Sequence, residues 1–105
     1  MALHDGMMVL RQANSETGLH PSDLLVEFRM CGTLSSGIGA CLTSFENGQV
    51  VAVSAFRSAT SAAGATSEAY SCNLTVTSGN LTIYSNNATS AAADVKVMII
   101  GRPKI

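Results

Sequence analysis

The residues able to do chemistry are few, and their spacing leaves them apart. A catalytic centre needs a nucleophile or metal, a tuned base and an orienting group within hydrogen-bond reach. His4 and His20 both fall in the first 23 residues, and His20 precedes Pro21 in an expected turn. Neither has a partner at a metal or general-base spacing, so both read as solvated loop histidines. Cys31, Cys41 and Cys72 are odd in number and lack the C-x-x-C spacing of zinc and redox sites. Cys31 and Cys41 flank a nine-residue Gly- and Ser-rich stretch that could close into a hairpin and bring the sulfurs together in an oxidising setting, but three reduced, buried thiols are the simpler expectation. Asp5, Glu16, Asp23, Glu27, Glu46, Glu68 and Asp94 stand singly, in expected turns or on wet strand faces, which gives no carboxylate pair for glycosidase chemistry. No serine sits in G-x-S-x-G, and Gly37-Ile-Gly39 lacks the third glycine of a dinucleotide loop. Three N-x-T matches, at Asn73, Asn80 and Asn87, are read as coincidence in an Asn-, Ser- and Thr-rich chain. The expectation is a protein that is not an enzyme and uses no metal or cofactor.

Composition narrows the class further. Ala, Ser, Thr and Gly fill 45 of the 105 positions, charged residues make up 12%, and the net charge is -1. Six scattered basic residues facing seven acids give no field for a nucleic-acid or anionic-membrane partner. The longest strongly apolar runs, Val50 to Val53 and Val97 to Ile100, fall far short of a membrane-spanning helix. The first residues carry no basic and apolar leader, so synthesis in the cytoplasm is expected. A surface this poor in charge resists association weakly, which points to life within an assembly.

The elements that must position these residues are strands. Period-two segments separated by Gly, Ser and Asn dominate, and 105 residues support one core. An all-β fold is predicted: a single antiparallel β-sandwich, jelly-roll or immunoglobulin-like, over residues 24–105, with residues 1–23 as an N-terminal arm or an edge strand. In 24–30, Leu24, Val26, Phe28 and Met30 share one face, and Leu25, Glu27 and Arg29 share a second, half-wet one. Val50 to Phe56 is apolar on both faces, as a central strand would be. Cys72 to Tyr84 reads as a hairpin turned at Ser78-Gly79. Asp94 to Gly101 reads as the closing strand, with Val95, Val97 and Ile99 on one face. The small-residue stretches Ser58 to Ala69 and Ser85 to Ala93 are expected to be mobile loops in a monomer, or close-approach surfaces at a subunit contact. A helical turn at Ala91 to Ala93 is the lesser alternative. Met7, Met8 and Leu10 are the candidate partner-binding residues, because Met adapts to irregular surfaces.

From Val50 to Arg102, the sequence Val50-Val-Ala-Val-Ser-Ala-Phe56, the Asn73 to Tyr84 hairpin, a small-residue loop and Asp94-Val-Lys-Val-Met-Ile-Ile-Gly-Arg102 resemble the C-terminal half of small β-sandwich proteins of tailed bacteriophage particles. These are capsid decoration (cement) proteins and H-type lectin-like tail domains. The resemblance implies a virion structural protein that binds the major capsid protein on the outer shell and forms a homo-oligomer such as a trimer. A carbohydrate-binding tail-fibre or adhesin module is the alternative, and a tail or head-completion component is a third. The lectin-like loops are Ala-, Ser-, Thr- and Asn-rich here and no Trp is present, so no sugar-contacting residue carries over. A 105-residue chain standing by itself is the size expected of a cement protein.

Overall fold

The computed structural model describes residues 7–10, 22–57 and 68–104. These contain seven strands and no helix: β1 (Met7–Leu10), β2 (Leu24–Met30), β3 (Ile38–Leu42), β4 (Val50–Phe56), β5 (Tyr70–Cys72), β6 (Asn80–Ser85) and β7 (Lys96–Gly101). They form two antiparallel sheets, sheet A in the order β1-β2-β7-β4 and sheet B in the order β3-β6-β5. The fold is an all-β sandwich. Its pairings are nested, β2 with β7 and β3 with β6, while β4 and β5 lie side by side at the corner where sheet A gives way to sheet B. A hairpin of paired strands wrapped around a common core is the arrangement of a jelly roll.

The central strands show why the sequence folds this way. β7 alternates strictly, burying Val97 (1% exposed), Ile99 (0%) and Gly101, and β6 buries Leu81 and Ile83 (both 0%). Leu25, Leu34, Cys41, Phe45 and Val95 complete the core between the sheets. Gly101 pairs with both Leu25 and Val50, and a Cβ there would meet the Phe45 ring at 2.6 Å, so the ring packs directly on the bare backbone.

Two Ser-Gly dipeptides make the tight turns. Ser36 and Gly37 have φ of 51° and 77°, and Ser78 and Gly79 have 50° and 77°. Both pairs close bridges, Ser35 to Ile38 and Thr77 to Asn80, as two-residue turns with positive φ at both positions do. The first brings the stretch between Cys31 and Cys41 into a hairpin. The second is the turn foreseen in Cys72 to Tyr84, although the leading strand β5 ends at Cys72 and Leu74 is left half exposed.

Several expectations are corrected. β4 is an edge strand, not a central one, because β7 occupies the centre of sheet A and pairs with both β2 and β4. The side of β2 that carries Leu25, Glu27 and Arg29 turns inward, and the side with Phe28 and Met30 faces out. The segment 86–93 has neither a helical turn nor the freedom of a loose loop. The Leu34 N–H donates to the Ala92 carbonyl (2.9 Å) and the Gly37 N–H to that of Ser90 (3.0 Å), while Ser90 and Ala92 are buried. Of the other small-residue stretch, residues 58–67 lie outside the described residues, as do His4 and His20.

Candidate functional site

Register fixes which side chains share the outer face of sheet A. Opposed residues of an antiparallel pair lie on one side of the sheet, and alternate residues share a face. Met8 pairs with Val26, Val26 with Ile100, and Ile100 with Ala52. Phe28 pairs with Met98 and Met98 with Ser54, while Met30 pairs with Lys96 and Lys96 with Phe56. With Leu24, these residues cover the outer side of all four strands, and Lys96 is the one charge among them. Met8 (49%), Phe28 (50%), Met30 (57%) and Phe56 (42%) are exposed. A groove of about 230 Å³ runs between Phe28, Met30 and Phe56, with Lys96 at its edge.

Four half-exposed side chains of this size, with the half-covered Met98 and Ile100 between them, present roughly 500 Å² of apolar surface, taking aromatic residues as 150–250 Å² each. That lies at the upper range of the patches monomers carry and approaches the ~800 Å² that each partner contributes to a standard interface. The outer face of sheet B is the weaker of the two: Ile38, Leu42 and Tyr84 are exposed there, but Asn80 and Thr82 lie in register among them.

The inner side of β2 is the converse. Glu27 is fully buried, and its carboxylate accepts from Thr43 Oγ1 (2.8 Å), the Ser44 N–H (3.2 Å) and Arg29 Nη2 (3.4 Å). Burial alone would raise its pKa, but the hydrogen bonds from Thr43, Arg29 and Ser44 outweigh that cost and hold it below the ordinary value. Glu27 is therefore an ionised structural group, not a proton donor. Its place inside corrects the sequence expectation that it stands on a wet face. Asp23, expected in a turn, is likewise buried.

The remaining reactive groups are similarly held out of chemistry. Cys31 and Cys41 are buried free thiols, and Cys72 is partly buried. Burial, reinforced by Cys31 and Glu27 nearby, pushes the Cys41 thiol up to about 12, and burial also raises Cys31 and Cys72. A thiol that stays protonated is a poor nucleophile. Glu68 accepts from Tyr70 Oη (2.7 Å), Ser90 Oγ (3.0 Å) and Asn87 Nδ2 (3.3 Å), which lowers its pKa. Burial and that carboxylate push Tyr70 up to about 12. The cluster ties the 86–93 segment to the start of β5, and Asn87 spends its amide there and on Thr89.

Of the residues singled out from sequence, Met7 sits half-buried against the core, Met8 lies on the outer face, and only the backbone of Leu10 is described. All of Met7–Leu10 pairs with β2 as the edge strand of sheet A. Sequence reasoning missed Phe28, Met30 and Phe56, because a purely apolar face reads as core. The signal against that reading was Glu27 and Arg29 on the opposite face, two residues apart and able to neutralise each other inside. Comparisons with protein-family models, with curated proteins and with solved structures find no match to this chain.

Proposed function

We propose that this chain is a non-enzymatic structural protein of a virus particle, a capsid decoration protein that attaches through the outer face of sheet A. The observation that carries the reading is the apolar character of that face, which no segment among the described residues covers. A sheet side bearing two Phe and three Met with one charge costs solubility unless a partner occupies it. The partner that fits is broad, rather flat and apolar, as the outside of an assembled shell of capsid subunits is. Attachment of this kind works by area and copy number: each contact is modest, and symmetry repeats it over the shell. The small-residue, charge-poor composition and the resemblance of Val50 to Arg102 to phage decoration proteins support the same reading.

The carbohydrate alternative gains nothing from the loop that was to carry it. Asn87 and Thr89 there are engaged with each other and with Glu68. The test is the copy number of this chain in purified particles, by quantitative mass spectrometry against the major capsid protein. A ratio within a few-fold of unity is expected. A few tens of copies would assign the chain to the tail, and absence would remove the virion reading.

A further inference from the structure

Sheet edges are where β proteins associate, and natural proteins close them with short strands, charges, prolines or covering segments. Three edges here are closed in these ways. β1 is four residues long and β5 is three. β3 is covered along its far side by the arm of its own hairpin: the Gly32 N–H donates to the Ala40 carbonyl (3.0 Å), and Ser35 and Ile38 exchange two bonds (2.9 and 3.1 Å). β4 is different. It is seven residues long, carries no charge and no proline, and its register with β7 is regular from Ala52 to Phe56, the one irregularity falling at Val51. Among the described residues, Val51 to Phe56 make no backbone hydrogen bond beyond those to β7.

The geometry points to β4 as a self-association edge, whose occupant is β4 of a second copy, paired antiparallel about a two-fold axis through Ser54. The side chains argue for a copy of the same strand. An axis at Ser54 overlaps all five regular residues and keeps outer side opposite outer side. It sets Phe56 against Ala52 of the other copy and Val53 against Ala55, large against small at each step, with Ser54 facing Ser54. No charges meet across the pair. Each Arg57 falls beyond the overlap at opposite ends of the strands and is already bonded to Asp94 at 2.7 Å. A strand with no charge pattern has nothing with which to select a foreign partner, whereas its alternating sizes match its own reverse.

The product is one eight-stranded sheet, β1-β2-β7-β4 continued by β4-β7-β2-β1 of the second copy. Its outer side doubles the apolar face, bringing Phe56 of each copy toward the seam. A strand of seven residues is only ~23 Å long, so the contact falls below the ~1,200 Å² of a standard interface. The free dimer is therefore weak, with dissociation in the range of ~10 µM to ~1 mM, and is reinforced where copies are held close on a common surface. The inference holds whether or not that surface is a capsid.

Sedimentation velocity of the full chain from ~10 µM to ~1 mM tests it, with circular dichroism to confirm folding. The wild type is expected to move from monomer toward dimer with rising concentration. Ser54→Lys and Ser54→Asp, on an exposed position, should each remain monomeric, because like charges then face each other at the axis. An equimolar mixture of the two variants should recover the dimer. A wild type that stays monomeric, a trimer, dimerisation unaffected by Ser54→Lys, or a mixture that fails to recover would each overturn the proposal.

Discussion

The two sides of β2 are built the opposite way round from a freely soluble sandwich. The inward side holds Leu25, a fully buried carboxylate and Arg29, and the outward side shows Phe28 and Met30 half exposed to solvent. Both arrangements oppose the simple transfer preference, and each is explained by what surrounds it. Inside, Thr43, Ser44 and Arg29 replace the water that Glu27 loses, joining β2 to the β3–β4 connection. Outside, no described residue covers the apolar side chains. Glu27 is satisfied within the chain, whereas Phe28 and Met30 are satisfied only by another molecule. Burial thus follows the demands of neighbouring strands and partners, and hydrophobicity alone does not order the two sides.

The comparison breaks most readily from the inside. Glu27→Ala leaves the Arg29 guanidinium, the Thr43 hydroxyl and the Ser44 N–H facing a gap. Removing one partner of a buried pair costs ~3–5 kcal/mol, and the partial exposure of Arg29 (30%) brings the expected loss to about 3 kcal/mol in urea unfolding. Gly101→Ala drives a Cβ into the Phe45 ring from the same side of the sheet and should cost about 1–3 kcal/mol in the same assay.

Acid sharpens the contrast further. The folded pKa of Glu27 lies below its ordinary 4.5, so its contribution is full above that value and is lost as pH falls through the lowered one. Midpoints of unfolding measured from pH 6 downward should fall below pH 4.5 more steeply in the wild type than in Glu27→Gln. The smallest effect on stability belongs to the outer side: Phe28→Ser with Met30→Ser should change the unfolding free energy by no more than about 0.5 kcal/mol per site, while retention on the particle is lost.

Much of the sandwich was legible in the sequence, because the central strands must alternate. Val95, Val97 and Ile99 on one face, and Leu81 and Ile83 on theirs, follow from period two alone, and Ser78-Gly79 marks its own turn. The strand order was not legible. Val50 to Phe56 is apolar on both sides either because a layer covers each or because it is an unfinished edge, and only pairing to β7 alone distinguishes them. The docking face was hidden for a related reason. Apolar residues destined for a partner obey the same pattern as apolar residues destined for the core, so Phe28 and Met30 read as interior. The tethering of 86–93 was also out of reach, since backbone donors at Leu34 and Gly37 leave no mark in side-chain composition.

Methionine oxidation in the assembled and free protein tests the central claim most directly, because Met7 and Met8 are adjacent in sequence and lie on opposite sides of sheet A. Brief peroxide treatment followed by peptide mapping reads each sulfur separately. In the free chain, Met30 and Met8 should oxidise fast and Met7 slowly. In purified particles carrying the chain, Met30 and Met8 should fall to the rate of Met7. If Met30 oxidises as fast on the particle as in the free chain, the outer face of sheet A is not the attachment surface.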